Sequence, residues 1–593
     1  MVRRRNHRFP KIKKVSRPNR VNNNDPQLAK DLNFLSTETN LFHKNYLNKI
    51  KDLNGKELFL AVKNYEKISD LEIKIATYAY LYFVTDMLNN DKAGFYQNIS
   101  EKLNIISEKI IFFPLEIANL EEKNLNKLLA DKNLNKYKPF ITDIRSSKKY
   151  QKSRNIEEIL HKKHQTSNQA WSRLFDETMA GLEFKYGTKN LSAAEIFNLL
   201  SSNNQEERKK AAKSIGKTLK TNIKIFAFIT NILAKDKAIE DEIRNYEHPV
   251  KARNVSNFIE DEVIDSLYSA VKENYENFSH QYYKIKAQLF GSKQIDYWDR
   301  NAPLSNLKEK EINYKEAQKI VLAAYANFSN EMAEIAELFF KNNWIDVPPR
   351  KGKDSGAFSH PSAPSTHPYI MLNYQGKIRD VMTLAHELGH GVHQYLSRKQ
   401  GALMADTPLT LAETASIFGE QLVFESLLEK SKTKEEKKFL LINKIEDSLN
   451  TIVRQIAFYD FEYQIHHKRK TAEININEIN EIWLKTQKDS LGPAIKFHAE
   501  YKYFWSYIPH FIHSPFYVYA YAFGNLLVNS LYLTYKSGLK NFEAKYLNAL
   551  SAGGTLHHKE LLAPFGLDAS NKNFWKEGLK LPMNYLDELK ELI

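Results

Sequence analysis

Cysteine is absent from this 593-residue sequence. That absence excludes disulfides, thiolate metal sites and a cysteine nucleophile together, so a catalytic metal would have to rest on His, Asp and Glu, and a reducing, cytoplasmic setting is expected. Long apolar runs are missing as well. No stretch approaches the roughly eighteen residues needed to span a bilayer, so no membrane partner is expected. No fixed-period repeat is evident, which leaves no solenoid reading. The first twenty residues lack any acid and carry six Arg and three Lys, so they hold +9 of the formal +15 and leave +6 for the other 573. A strongly basic protein invites a nucleic-acid reading, but a body this nearly balanced gives no reason to expect nucleic acid as a partner. The run from Arg3 to Arg20, broken by Pro10 and Pro18, reads as a disordered basic tail over 1–24, with a polyanion-binding arm as the alternative. It has no apolar core of a secretory signal.

What remains is an ordinary globular chain, 42% hydrophobic and 26% charged, long enough for several structural units and a large cavity. From about Asp25 to Leu200, apolar residues recur at three and four, as in Leu58, Leu60, Ala61, Tyr65 and Ile68, which predicts helix. The polar stretches Ser146 to Arg154 and Ser201 to Asn204 read as connections. The domain expectation is therefore an N-terminal helical region over 25–204 and a catalytic domain over 205–593. One interval differs. From Lys351 to His367 glycine, serine and proline accumulate, and Tyr369 to Tyr374 then reads as a short strand between Pro368 and Gly376. Its edge could hold an extended peptide; a small structural hairpin is the other reading.

The chemistry-bearing segment is Asp380 to Leu396, where His386, Glu387 and His390 form HExxH. Residues four apart on a helix share a face, with Cβ atoms roughly 6 Å apart, so two imidazoles can grip one ion while Glu387 reaches its water without being a ligand. Gly389 and Gly391 each cost such a helix about 1 kcal/mol relative to Ala. Close approach of backbone or substrate would account for them. A third protein ligand is still needed. The metzincin pattern fails, since His393 stands where its glycine belongs and Leu396 where its third His belongs. His393 lies on the ligand face and reads as a packing or supporting residue. Glu413, at the start of the next apolar helical run, is the candidate ligand, and Glu420, seven residues on, could orient a ligand histidine. Thr410-x-x-Glu413 is also a capping box, in which Glu413 would only satisfy a helix N-terminus. A zinc aminopeptidase would put its distant Glu where Leu409 stands and would need a GxMEN-like segment, which is absent. A helical binding protein using its basic tail is the other alternative.

The run Thr383 to His393, followed by Ala412-Glu413-Thr414-Ala415-Ser416, resembles the thimet oligopeptidase and oligoendopeptidase F family of metallopeptidases, closest to the oligoendopeptidase F branch. Gly356 to Ser359, Pro368 to Asn373, Ile508 to Phe511, Pro515 to Tyr521 and Leu550 to Gly554 agree with it, and the likeness covers roughly residues 205 to 585. It implies a mainly α, two-lobed helical metallopeptidase with a deep central channel and a small β element beside the HExxH helix. It further implies one Zn2+ per chain on His386, His390 and Glu413, Glu387 as base on the zinc-bound water, Glu420 behind the ligands, and internal cleavage of short unfolded oligopeptides. Gly356, Ala357, Tyr369, Met371 and Tyr517 are the expected substrate-binding residues, and a monomer is expected. His and Tyr near the C-terminus should stabilise the transition state. The density of polar-tipped aromatics between Trp505 and Tyr521 points the same way, with Tyr519 as the expected donor and His510 or His513 beside it, because Ile512 and His513 depart from the family pattern. Manganese and cobalt suit the same donor set.

Overall fold

Apolar spacing at three and four closes into helices along most of the chain. In the computed structural model, which describes residues 25–164, 166–304 and 311–593, the elements are mostly α-helices with three small sheets. The basic tail expected over 1–24 lies outside the described residues. Helix Gly55–Val84 illustrates the pattern. Asn54 caps it by accepting from Glu57 N–H, and the Glu57 side chain returns to the Asn54 N–H. Leu58, Ala61 and Ile68 are buried, whereas Leu60, one step off the stripe, is 47% exposed. Among the described residues, no helix is long and apolar enough to cross a membrane.

The chain packs into two compact units, and the expected boundary at 204/205 is not the one that separates them. The first unit joins the described residues up to Lys148 to the described parts of 309–430 and to 538–566. The physical reason lies in its core: Met371 and Met404 bury with Leu58, Ile75, Phe113 and Leu134 of the N-terminal helices. The interior of this unit is thus completed by segments far apart in sequence. Its three-stranded sheet has Tyr369–Met371 in the middle, parallel to Ile345–Asp346 and antiparallel to Phe358–His360. The predicted strand therefore exists, but both its edges are already paired. The edge strands are Ile345–Asp346 and Phe358–His360.

The second unit comprises the described parts of 149–308, with 431–537 and 567–593. It contains the 40-residue helix Gln205–Arg244, which begins where the polar run Ser201 to Asn204 ends, with Asn204 accepting from Glu206 and Glu207 N–H. Arg208 on this helix is 2% exposed and donates through Nε and Nη2 to Asp299 Oδ1, at 3.0 and 2.7 Å, and through Nη1 to Ser202 O at 2.7 Å. This ion pair ties the helix start to the Tyr297–Asp299 turn. Removing one partner strands the other charge in the interior, which costs about 3–5 kcal/mol. Asp299→Ala is expected to lower the unfolding free energy by that amount in a urea titration, while Glu206→Ala on the exposed side of the same turn changes it little.

Candidate metal centre

The helix Ile378–Ser397 carries HExxH, and it packs on the helix Thr414–Glu429. Gly389 sits at their crossing: a Cβ there would lie 2.6 Å from Ser416 Cα and closer still to the Ala415 carbonyl oxygen. Backbone cannot yield as a flexible side chain can, so only glycine permits this approach. Gly391 likewise leaves room for the Phe339 ring, whose nearest atom would be 2.6 Å from an added Cβ. The glycines expected to serve close approach thus admit a neighbouring helix backbone and a core ring. Two tyrosines lock the pair. Tyr325 donates to Ala385 O at 2.6 Å, and Tyr546 donates to Thr414 O at 2.9 Å.

This packing brings Glu413 to the imidazoles. Glu413 stands between the short helix Leu409–Ala412 and the helix Thr414–Glu429, with φ −79° and ψ 0°. The capping box proposed for Thr410 and Glu413 is not formed, because Glu413 makes no capping bond and the short helix starts at Pro408 instead. Glu413 Oε2 lies 3.3 Å from His386 Nε2 and 3.3 Å from His390 Nε2. A tetrahedral zinc site with bonds of about 2.0–2.1 Å has ligand-to-ligand edges of about 3.3–3.4 Å, so this spacing fits one such ion. Among the described residues, His386, His390 and Glu413 are the one His/Asp/Glu group compact enough to hold an ion, its ligand atoms lying within 4.8 Å of one another. Behind them, Glu420 Oε2 is 3.4 Å from His386 Nδ1, the position expected of a residue that orients the ring.

Electrostatics follow from this placement. Burial pulls His386 down, but Glu413 and Glu420 outweigh it and hold the ring well above its usual range. Burial pushes Glu413 up, and the two imidazoles hold it well below the carboxylate range. Glu387 is 6% exposed. Its pKa is raised by burial, against the lowering effect of His386 and His390, and the Ser359 backbone N–H faces its carboxylate. His393 is buried, lowered to about 4 by that burial, and bonded through Nε2 to Thr407 Oγ1 at 3.2 Å. It packs as a neutral supporting ring outside the ligand group.

Three features were not legible in the sequence. Ser416 Oγ donates at 2.6 Å to Glu413 Oε2, the same oxygen that faces both imidazoles. Gly419 leaves the space that Tyr325 occupies. Gln394 Nε2 donates to Ser359 O at 3.2 Å, fastening the edge strand to the metal helix. The small residues at 389, 416 and 419 were the available signal for this close packing.

The expected substrate residues of this unit divide. Gly356 is fixed by donation to Asp354 Oδ1 at 2.8 Å and by accepting from Asn373 Nδ2 at 2.9 Å, and Ala357 follows it into the edge strand. The Tyr369 hydroxyl meets His367 Nε2 at 3.0 Å. Met371 corrects the expectation: it is 3% exposed and belongs to the core, where it has no surface to offer a peptide.

The aromatic segment lies in the second unit. Tyr519 is fully buried; its hydroxyl donates to Asn254 Oδ1 at 2.9 Å and accepts from Asn257 Nδ2 at 2.8 Å. With both valences used and no exposed surface, Tyr519 is a structural residue, contrary to expectation. His510 Nε2 meets Tyr521 OH at 3.2 Å, with Tyr517 packed edge-on to Tyr521 at 5.2 Å. His513 Nε2 is instead paired with Asp176 Oδ1 at 2.8 Å. His510 and His513 therefore have different partners, and only His510 sits among the tyrosines.

Comparison with known proteins gives an independent reading. Residues 198–581 match the family described as Peptidase family M3, and residues 116–184 match the one described as Oligopeptidase F. The "Oligoendopeptidase F homolog" of Borreliella burgdorferi is 29% identical, covering 96% of each chain. "Oligopeptidase PepF" of Bacillus subtilis is 26% identical over 92% of this chain and 82% of its own. The crystal structure of oligoendopeptidase-F from Enterococcus faecium superposes with a TM-score of 0.72 at 22% identity, covering 96% of this chain and 99% of that one, and so shares the fold.

Two variants test the packing that sets this geometry. Ser416→Ala is expected to weaken divalent-metal affinity by about tenfold, in the range measured when an outer partner of a metal ligand is removed. Gly389→Ala should wedge the helices apart and lower metal stoichiometry in the purified protein; full occupancy with unchanged affinity in both variants would contradict the arrangement described.

Proposed function

Because this chain belongs to peptidase family M3 and is a metalloendopeptidase acting on oligopeptides, we propose that its metal is a single Zn2+ held by His386, His390 and Glu413, with Glu387 as general base. The observation that carries this is the pair of 3.3 Å separations between Glu413 Oε2 and the two imidazole nitrogens, which match the edges of a tetrahedral site. When bound, the ion supplies Lewis acidity that lowers the pKa of a water and polarises a carbonyl. Glu387 takes the proton of the attacking water on a carboxylate oxygen and later delivers it to the leaving amine. Its burial favours this role, since a raised pKa makes a carboxylate a better base near neutrality. Glu420 keeps His386 oriented through Nδ1, and Ser416 keeps Glu413 oriented through Oε2.

The edge strand Phe358–His360 supports a seat for an extended peptide. Glu387 and Gln394 already engage the outward N–H and C=O of Ser359. Ala357, two residues back and on the same edge, is therefore proposed to pair with substrate backbone, with Gly356 fixed behind it. For the developing oxyanion, the proposal carries His510 with Tyr521 or Tyr517, because the Tyr519 hydroxyl is committed to Asn254 and Asn257. The reducing composition supports a cytoplasmic setting.

Replacing Glu387 by Gln should keep the metal at wild-type stoichiometry and abolish cleavage of a quenched oligopeptide. Wild-type turnover by that variant would remove Glu387 as the base. A second comparison separates the tyrosines: Tyr521→Phe is expected to lower kcat about 10²–10³-fold, as loss of an oxyanion donor does. Tyr519→Phe should lower thermal stability, because it strands two buried amides, and spare kcat. The reverse pattern would return the donor role to Tyr519.

A further inference from the structure

In the second unit, one turn separates the groups proposed to meet the oxyanion. His510 sits on the short helix His510–His513 and Tyr521 on the helix Tyr519–Lys536, with Ser514, Pro515, Phe516 and Tyr517 between them. Tyr517 N–H donates to Ser514 O at 3.0 Å, which closes these four residues into a β-turn with Pro515 second and Phe516 third. Phe516 has φ 59°. A positive φ at the third position is what a type II turn demands, and glycine is the usual residue there because it has no Cβ to clash. For Ser-Pro-Phe-Tyr the relaxed alternative is type I, which suits most residues and is reached by turning over the one peptide between the second and third. The Pro515–Phe516 peptide is therefore held in the costlier of two orientations.

Packing accounts for part of the hold. The Phe516 ring is fully buried, its centre 5.0 Å from that of His466 and 6.1 Å from that of Tyr459. This anchors the side chain, but Arg253, Glu462, His466 and Pro515 also line a cavity of about 410 Å3, so the peptide itself has room to rotate. Its two polar edges decide the orientation. Glu462, on the helix Arg454–Arg469, accepts from Phe516 N–H through Oε1 at 3.0 Å, and Arg253, on the helix Lys251–Ser256, donates from Nε to Pro515 O at 3.1 Å. In a trans peptide the N–H and C=O point in opposite directions, so one side chain grips each edge. Turning the peptide over breaks both bonds and sets its N–H against a guanidinium, donor against donor. Glu462 is 2% exposed and its Oε2 has no hydrogen-bond partner among the described residues, so the bond to Phe516 is what a carboxyl at this depth provides.

We propose that Glu462 and Arg253 are positioning residues, which clamp the two edges of the Pro515–Phe516 peptide and so keep Tyr517 and Tyr521 against His510. The contacts kept in this way are the 3.2 Å approach of His510 Nε2 to Tyr521 OH and the 5.2 Å edge-on packing of Tyr517 on Tyr521. The two turn types differ by about 20° in the net twist they pass to the following chain, which moves the hydroxyl at the end of a tyrosine by about 2 Å and breaks a hydrogen bond. Arg253 adds a second hold, its guanidinium standing 5.9 Å from the centre of the Tyr517 ring. The catalytic part of this proposal rests on the oxyanion reading of His510 with Tyr521 or Tyr517; the clamp itself does not.

The test compares Glu462→Met, Glu462→Gln and Arg253→Met with wild type, all as full-length, metal-loaded protein. Met removes the acceptor at 462, whereas Gln keeps an oxygen that accepts from Phe516 N–H. Burial pushes Glu462 up to about 8 against the Phe516 N–H and the Arg253 and Lys237 charges, so near neutrality it is uncharged and Gln matches it. The first readout needs no turnover: the ring resonance of His510 in protein carrying isotope-labelled histidine, assigned by its loss in His510→Gln. It is expected to shift in both Met variants and to stay in place in Glu462→Gln. The second is turnover of a quenched oligopeptide, where kcat should fall about tenfold in both Met variants with KM within about twofold, and stay at the wild-type value in Glu462→Gln. Asp299→Ala, which weakens the same unit elsewhere, controls for stability and should change neither readout. An unmoved His510 resonance in both Met variants, or a Gln variant that behaves like Glu462→Met, overturns the clamp. A shifted resonance with wild-type kcat keeps the clamp and removes the oxyanion role of the trio, so the two readings fail separately.

Discussion

The contact on which the site depends is the close crossing of Ile378–Ser397 with Thr414–Glu429 at Gly389. HExxH by itself delivers two imidazoles to one face and nothing more. In the proposed site the third ligand, Glu413, stands at the start of another helix, and a carboxylate has a short side chain, so the two backbones must lie close. Gly389 removes the Cβ that would meet the Ala415 and Ser416 backbone, and Tyr325 and Tyr546 hold the two helices from behind. The same closeness lets Ser416 reach Glu413 and Glu420 reach His386. The helix-propensity cost of glycine at 389 is thus the condition for a complete ligand set.

Much of this was legible because helical periodicity is local. The mainly α architecture and the shared face of His386 and His390 follow from residues three and four apart, and Glu413 and Glu420, the carboxylates expected beside that face, stand against those imidazoles. What failed depended on contacts made at long range. Tyr519 looked like one polar-tipped aromatic among several, and only Asn254 and Asn257, more than 260 residues away in sequence, decide that its hydroxyl is used up. Met371 read as part of a strand facing a peptide, but the pleat turns it into a core built by the N-terminal helices. The strand Tyr369–Met371 was placed correctly in sequence, yet whether it is an edge depends on partners that flank it from Ile345 and Phe358. The split into two compact units was hidden for the same reason: a change in local composition does not reveal which distant segments share a core.

The strand Phe358–His360 also bears on how the proposed base, Glu387, can be both buried and usable. Burial alone pushes Glu387 toward its neutral form, which could not accept a proton. The positive character of two neighbouring imidazoles and the Ser359 N–H counter it without cancelling it, and the net shift stays upward. Gln394 fixes Ser359 to the metal helix, so the residue that tunes the base and the edge strand beside it move as one piece. In the proposed mechanism, substrate seating and proton transfer are then linked through one strand.

The first unit gathers Glu387, Glu413 and Glu420 around two imidazoles, an excess of acid that draws His386 well above its ordinary pKa and suits a cation. Folding does not explain this cluster, since apolar residues of the same volume would be at least as stable there. Net charge over the body of the chain is small, so this is a local concentration and not the residue of an extreme composition.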